Sequence, residues 1–349
     1  MTAAERVASP PVTRPSRPDL FAMMLAYKQT AVLRAGIELG VFAALAGGPA
    51  SAEVVAGRIG SDPRGTRLLL NALAALGLLD TSGTAYTLTS GARAHLVPGT
   101  AAYVGDMVKV MASGQEWDAL KILPDAVRRG GTVLEEHAET PEYGYWQDFA
   151  AYAGAVAGPT AETAATALDD WATARPQLRV LDMACGHGLY GFTLARHQPA
   201  ATVWSLDWPT VLPVTRRHAE RLGVADRMRE IPGDMFTVPL GGPYDLVMIT
   251  NVLHHFSEER ATELLTRAAA VTTPGGKIVL VGFTVDDRPP ALDPEPHLFS
   301  ILMLVWTFRG EVHSVPAYRR MLATAGFTGG DVVSVPSLPL RVIIADRTG

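Results

Sequence analysis

The chain has 349 residues, of which 48% are hydrophobic and 19% charged, and its formal net charge is -5. This length and composition allow a buried core and two domains, and they exclude collagen-like, disulfide-rich and disordered proteins. The lack of a basic excess argues against nucleic acid or an anionic membrane as partner. The single cysteine, Cys185, excludes an internal disulfide and fits a reducing compartment, so we expect a cytoplasmic protein.

The N-terminal part predicts a tail and a small helical domain. Residues 1–18 are rich in Pro, Arg, Ser and Thr, which predicts a disordered tail. Residues 19–100 predict short helices followed by a hairpin, with Ser51 and Asp62 as helix N-caps and Pro63 at a first helical position. Helix, helix and hairpin in this order are typical of a winged-helix domain.

A winged-helix domain is also compatible with a DNA-binding regulator. The candidate recognition helix carries only Arg64 and Arg67 near its start and is otherwise apolar. An apolar surface suits burial against a partner or another domain better than a major groove. We therefore favour a protein-binding role for this domain.

The sequence pattern changes in the C-terminal part, residues 171–349. Apolar strand-like runs alternate with helical runs, which predicts a doubly wound parallel sheet with its ligand at the carboxyl ends of the strands. Residues 341–346 predict a last strand, antiparallel and at the edge. The other predicted strands are residues 179–182, 202–207, 228–231, 244–250 and 277–282.

The first of these strands ends in a glycine-rich turn, residues 182–188. Such a turn permits close approach of a ligand, but dinucleotide-binding folds use a similar one. Asp207 ends the second strand, where a carboxylate can accept from both hydroxyls of a ribose. Asp234 follows the third strand and can accept from an adenine amino group, while Met235 can pack on the ring. Together these features predict an adenosyl ligand.

These residues resemble class I S-adenosylmethionine-dependent methyltransferases, specifically the two-domain group that includes plant caffeate-type and bacterial O-methyltransferases. The motifs that carry the resemblance are residues 180–188, 205–209, 233–236, 251–256 and 325–327. It implies an α/β, Rossmann-like methyltransferase domain and an N-terminal helical, winged-helix domain that forms a homodimer. The cofactor residues that it implies are Asp182, Ala184, Gly186, Gly188, Asp207, Trp208, Asp234, Met235, Phe236, Thr250 and Asn251. The family usually has glycine where this chain has Ala184 and Cys185, both of them small.

A pair of histidines follows the fourth strand of the predicted sheet. By resemblance, His254 is the general base that deprotonates a phenol. The family usually has Asp where this chain has His255. The family often has a Glu that orients the base, and the matching position here is Val312, between Glu311 and His313. The usual His–Glu pair is therefore absent, and an additional imidazole stands nearby.

Three imidazoles with an open position are a familiar catalytic metal site. We predict that His254, His255 and His313 hold a divalent metal, zinc or iron, with His297 as a weaker candidate ligand. This arrangement is similar to a subgroup of the fold that C-methylates 2-oxo acids. The favoured hypothesis is therefore metal-assisted methylation of a 2-oxo acid at its β-carbon in secondary metabolism. The alternative is O-methylation of a phenol with His254 as a metal-free base, and a ligand-sensing winged-helix regulator is a distant third.

Residues 101–170 predict a helical linker that roofs the pocket, and residues 299–308 predict a helix on its side. In the family the second of these elements contacts the substrate, and Arg309 could pair with a substrate carboxylate. The candidate substrate contacts are Tyr145, Phe149, Met303, Trp306 and Arg309.

Overall fold

The first of two units ends at Ser113, and the second comprises Gly114 to Gly349. The computed structural model describes residues 15–286, 288–335 and 338–349. Among the helices of these segments, none combines the length and apolar character that crossing a membrane requires.

The first unit contains helices and a small antiparallel sheet with strand order β1-β3-β2. Its helices are α1 (Arg17–Glu38), α2 (Val41–Ala44), α3 (Ala52–Ile59), α4 (Pro63–Ala75), α5 (Ser90–Leu96) and α6 (Val108–Met111). Its strands are β1 (Ala50–Ser51), β2 (Leu79–Ser82) and β3 (Ala85–Leu88). The predicted helices and hairpin are therefore confirmed.

The predicted cap of α4 forms, because the Gly65 amide donates to the Asp62 carboxylate at 2.8 Å. This helix buries Leu70 and Leu73 in the core of the unit. Helix α1 begins at Arg17, inside the predicted tail, and Ser16 and Asp19 form a reciprocal cap at its start. The rest of that tail, residues 1–14, lies outside the described residues.

Helix α1 also exposes a row of large apolar side chains near its N-terminus. They are Leu20, Phe21, Met23, Met24, Leu25 and Tyr27, each at least 45% exposed. Several exposed large apolar side chains on one short stretch of helix are typical of a protein–protein interface.

The second unit begins with helices and continues as an alternation of strands and helices. Its helices are α7 (Gly114–Lys121), α8 (Leu123–Arg129), α9 (Tyr145–Tyr152), α10 (Gly154–Thr173), α11 (Leu189–His197), α12 (Leu212–Leu222), α13 (Glu258–Val271), α14 (Pro294–Trp306) and α15 (Val315–Ala325). Its strands are β4 (Leu178–Met183), β5 (Ala201–Asp207), β6 (Met228–Pro232), β7 (Tyr244–Thr250), β8 (Thr272–Phe283), β9 (Phe327–Ser334) and β10 (Leu340–Arg347).

Seven strands form one mixed sheet in the order β6-β5-β4-β7-β8-β10-β9. The first five strands of this order are parallel, and β10 runs antiparallel between β8 and β9. The predicted last strand is thus antiparallel, but β9 rather than β10 stands at the edge. Burial agrees with this order: Val342 and Ile343 of β10 are almost fully buried, whereas most residues of the edge strand β9 are exposed or half-buried.

The central strands are apolar because helices cover both faces of the sheet. Val180, Leu181, Leu246, Val247 and Ile278 are completely buried, and burial of one such side chain contributes about 1.5–3 kcal/mol to folding. The strands β4, β5 and β7 are parallel neighbours, so their carboxyl ends meet at one edge of the sheet.

Candidate active site

A cavity opens at the carboxyl ends of β4, β5 and β7. Its lining includes Ala184 after β4, Asp207 at the end of β5, and Thr250 and Asn251 at the end of β7. The chain passes from β4 to β5 on one side and from β6 to β7 on the other, so the direction of the strand order reverses here. Ligands of doubly wound sheets bind at this switch point.

Backbone hydrogen bonds hold the glycine-rich turn. The Cys185 amide donates to Leu206 O at 3.0 Å, and the Gly188 amide donates to Cys185 O at 2.7 Å. Gly188 has a φ of 70°, and a Cβ atom there would stand 2.3 Å from the ring of Phe192. Only glycine fits this position. Ala184 and Gly186, which precede Gly188 in the turn, line the cavity.

The Asp207 side chain is held in this wall by two backbone amides. Its Oδ2 accepts from the Gly186 amide at 2.7 Å, and its Oδ1 accepts from the Trp208 amide at 2.8 Å. A carboxylate oxygen can accept two hydrogen bonds, so each retains capacity toward the cavity. Burial raises the pKa of Asp207 to about 6, although the two amide bonds lower it. The residue therefore fits the two ribose hydroxyls of S-adenosylmethionine.

A short polar and aromatic segment follows β6. Asp234, Met235 and Phe236 line the cavity, and the Phe236 amide donates to Asp234 Oδ1 at 2.9 Å. The guanidinium of Arg260 lies 3.6 Å from the centre of the Phe236 ring. The Phe256 ring meets Phe236 edge-on at 5.1 Å. A flat apolar surface beside a carboxylate suits a purine with an amino group.

Two of the predicted cofactor residues stand behind the cavity wall. Gly188 packs against Phe192, and Asp182 is fully buried. The Gly191 amide donates to Asp182 Oδ2 at 3.3 Å, while Oδ1 has no hydrogen-bond partner among the described residues. Burial raises the pKa of Asp182 to about 8. The geometry gives Asp182 a role beneath the turn, without direct access to the cavity.

The histidines after β7 differ in their surroundings. His255 lines the cavity, and its Nδ1–H donates to Val252 O at 2.9 Å. His254 is 3% exposed, and its Nδ1 atom is buried without a hydrogen-bond partner among the described residues. His313 is buried and donates from Nε2 to Phe256 O at 3.0 Å. Burial lowers the pKa of His255 to about 4, and burial together with the neighbouring imidazoles lowers that of His254.

The prediction of a metal centre on these histidines is wrong for this structure. No three His, Cys, Asp or Glu side chains in the described segments are grouped so that they could hold an ion. His255 donates from Nδ1 to Val252 O and His313 donates from Nε2 to Phe256 O, so neither of these two nitrogens has a lone pair for an ion. His297, the weaker candidate, lies in the first turn of α14 and outside the cavity lining.

The candidate substrate residues occupy three kinds of position. Phe149 lines the cavity. Tyr145, Met303 and Trp306 are buried behind it, and the rings of Tyr145 and Trp306 meet at 4.6 Å. Arg309 is exposed just after α14. The structure thus brings one of these five side chains to the cavity surface.

Sequence reasoning missed a segment between α8 and α9 that has no regular structure. Ala138, Glu139 and Pro141 line the cavity, as does Trp146 at the start of α9. The Trp146 Nε1–H donates to Ala138 O at 3.2 Å, which joins the segment to the helix. The aromatic density of this stretch was a signal, but nothing in the residue pattern says which ring faces the cavity. Val211, Val252, Phe256 and Arg260 complete the set of missed lining residues.

Comparison with known proteins identifies both units. A family model described as "O-methyltransferase domain" matches residues 160–328, and one described as "O-methyltransferase dimerisation domain" matches residues 21–98. The chain is 32% identical to mouse acetylserotonin O-methyltransferase over 85% of its own length and 80% of that protein. It is 29% identical to the tetracenomycin polyketide synthesis 8-O-methyl transferase of Streptomyces glaucescens, covering 89% and 91% of the two chains.

A solved structure agrees with these matches. The structure of human N-acetylserotonin methyltransferase in complex with S-adenosylmethionine superposes with a TM-score of 0.81 at 25% identity, covering 97% of this chain and 99% of that one. The named relatives methylate oxygen, so the favoured hypothesis of C-methylation of a 2-oxo acid finds no support. Nor do these matches support a winged-helix regulator. The chain belongs to the S-adenosylmethionine-dependent O-methyltransferase family with an N-terminal dimerisation domain.

Proposed function

We propose that this protein transfers the methyl group of S-adenosylmethionine to a hydroxyl oxygen of a small aromatic molecule in secondary metabolism. One observation carries the proposal. A single cavity runs from Asp207, the candidate ribose acceptor, to His255, whose imidazole meets the ring of Trp146 edge-on, and Phe149 lines the same cavity. The candidate cofactor residues and a group able to take a proton thus share one cavity.

S-adenosylmethionine supplies a methyl group on a sulfonium sulfur, which is a strong electrophile. The protein's own task is to orient the two reactants and to remove a proton. Asp207 and Asp234 orient the cofactor by its ribose and adenine, and Trp146 and Phe149 hold an aromatic acceptor by its faces. A phenol with a pKa of about 10 holds its proton at neutral pH, so a neutral imidazole within reach accelerates the transfer. Positioning of the acceptor oxygen contributes further to the rate.

The working form that we propose is a homodimer. Helix α1 exposes the apolar row that begins at Leu20 and ends at Tyr27. The family model that matches residues 21–98 is a dimerisation domain. A second copy of the chain is therefore the occupant that these observations support for this surface.

The test is transfer of a deuterated methyl group from labelled S-adenosylmethionine to 1-naphthol, 4-nitro-1-naphthol, 5-hydroxyindole and 4-hydroxybenzoate. Mass spectrometry of the products should show one labelled methyl on oxygen for at least one of these phenols. Matched compounds that lack the hydroxyl, such as naphthalene and indole, should give none. Absence of product from every phenol, or label on carbon, would contradict the proposal.

A further inference from the structure

The cavity lining includes a carboxylate that has no role in the proposed chemistry, the side chain of Glu139. It is half-buried in the segment between α8 and α9. The carbonyl of its neighbour Ala138 accepts from Trp146 Nε1 at 3.2 Å, and the Trp146 ring meets His255 edge-on at 5.3 Å. Glu139 therefore lies beside the part of the cavity lined by Trp146 and His255, which we call the acceptor end.

The chain that follows α14 holds the side chain of Glu139 in place. Its Oε1 accepts from the Phe308 amide at 2.6 Å. Two residues further on, a Cβ atom at Gly310 would stand 2.5 Å from His254 O, so this stretch runs against the backbone of the histidine pair. One oxygen of the carboxylate is thus fixed by a backbone amide. The other, Oε2, has no donor among the described residues and keeps its full capacity to accept.

Among the described residues, no cation forms an ion pair with this carboxylate. Arg260, which also lines the cavity, is paired with Glu263 at 2.5 Å. Arg309, predicted to bind a substrate carboxylate, is exposed and outside the lining. The ring of His255 is neutral, because burial lowers its pKa to about 4. The charge that an acceptor meets at this end is therefore that of Glu139.

The surroundings of Glu139 favour its ionised form in two ways. Burial raises the pKa of the carboxyl group, while the bond from the Phe308 amide and the charge of Arg260 lower it. At about pH 8, a carboxyl group with this support is ionised. In a half-buried position its charge is screened less than in water, so it acts more strongly on a charged group of a bound molecule.

On the basis of the proposed O-methylation, we propose that Glu139 selects the acceptor by charge and that the preferred substrate class is a phenolic amine. The ammonium group of such a molecule donates to Glu139 Oε2, while Trp146 and Phe149 hold its ring. A phenol with a carboxylate in the same place meets a like charge, and binding is weakened.

The experiment compares three acceptors that share one phenol ring and one linker: tyramine, 3-(4-hydroxyphenyl)propionamide and 3-(4-hydroxyphenyl)propionate. The amine and the acid are also compared on a larger ring, as 5-hydroxytryptamine and 5-hydroxyindole-3-propionate. At about pH 8 we expect kcat/KM of the wild type to fall from amine to carboxamide to carboxylate. The amine should exceed the carboxylate by about a hundredfold, because attraction and repulsion each contribute about tenfold. Compounds that bind without being methylated are compared by their inhibition constants against 1-naphthol.

The test variant is Glu139→Gln, which removes the charge but keeps an oxygen for the Phe308 amide. It should reduce the preference for the amine over the carboxylate to less than about threefold. The matched control is Glu136→Gln, an exposed carboxylate of the same segment that is outside the cavity lining. It should keep the wild-type preference within a factor of about two. Circular dichroism verifies that each variant is folded, and Glu139→Ala replaces the Gln variant if it is not.

Calorimetry of S-adenosylmethionine binding separates the acceptor from the cofactor, whose methionine part also carries an ammonium group. Glu139→Gln should change this affinity by less than about threefold. A fall in affinity with the amine preference unchanged would place the carboxylate at the cofactor and overturn the inference. A wild-type preference for the carboxylate, or an amine preference that persists in Glu139→Gln, would overturn it as well. In these cases the wild type still methylates a phenol, whereas failure of the proposed function would leave it inactive on all of them.

Discussion

The two ends of the cavity are held by different forces. At the cofactor end, backbone amides set the geometry: Gly186 and Trp208 each donate to one oxygen of Asp207, and the Gly188 amide closes the turn on Cys185 O. At the acceptor end, the positions of His255 and Trp146 depend on ring packing and on single bonds to backbone carbonyls.

Because of this difference, the two ends of the cavity should tolerate different substitutions. The backbone hydrogen bonds at the cofactor end require small residues in the turn and the carboxylate of Asp207. They do not depend on the side chains around them. Ring packing changes whenever one side chain changes, so it can suit a new acceptor without disturbing the cofactor site. Substitutions at the two ends should accordingly have separable effects on the affinity for S-adenosylmethionine and on the KM of the acceptor.

The largest expected effect is at Asp207. Asp207→Asn replaces one acceptor oxygen with a donor and removes the charge opposite the ribose hydroxyls. We expect the affinity for S-adenosylmethionine to fall by about a hundredfold, since hydrogen bonds to a charged group contribute about 1.5–3 kcal/mol. Isothermal calorimetry measures this change. Asp226→Asn, an exposed carboxylate after α12, should bind as the wild type does, and an unchanged affinity in the Asp207 variant would contradict the ribose assignment.

At the acceptor end, we expect substitution of Trp146 to change the KM of the acceptor and to leave the affinity for S-adenosylmethionine nearly unchanged. Trp146→Ala removes a ring from the cavity wall and should raise the KM of an aromatic acceptor by about tenfold, the upper range of an aromatic pair. The affinity for S-adenosylmethionine should change by less than a factor of about three. Trp146→Phe keeps a ring but loses the bond to Ala138 O. If both variants raise KM equally, the tether and not the ring face determines acceptor binding.

The same difference explains which parts of the candidate site can be predicted from the sequence alone. Asp207, Asp234 and Met235 follow strand ends, and strand ends of a parallel sheet meet at one edge, so their convergence follows from the pattern. Asp182 follows the same rule but ends in the core, because the turn after it folds over the carboxylate. His313 and His254 approach each other through side-chain packing, which no residue spacing encodes. The segment around Glu139 has no periodicity at all, and only the three-dimensional structure places it at the cavity.

Lowering the pH should weaken the binding of S-adenosylmethionine less than Asp207→Asn does. Burial raises the pKa of Asp207 to about 6 in the free protein, so lowering the pH through this value protonates the ribose acceptor. Between pH 7.5 and pH 5.5 the affinity for S-adenosylmethionine should fall by about fourfold, from the ionised fraction alone. His255 does not contribute, because its pKa of about 4 leaves it neutral over this range. Asp207→Asn should abolish this pH dependence, and a dependence that persists in the variant would assign it to another group.

The smallest expected effect tests whether backbone geometry governs the cofactor end. Ala184 adopts a φ of 53°, which costs a residue with a Cβ atom about 1–2 kcal/mol. Ala184→Gly relieves that strain but adds conformational entropy to the unfolded chain, about 0.4–1 kcal/mol. We expect a net gain in the free energy of unfolding of about 0.5–1 kcal/mol, measured by urea denaturation at constant m. Ala323→Gly on the exposed face of α15 should instead lose about 0.5–1 kcal/mol, because the helix needs no left-handed residue there. A gain at position 184 and a loss at position 323 would place the strain in the backbone of the turn. A loss at both positions would mean that the methyl group of Ala184 contributes packing that outweighs its strained conformation.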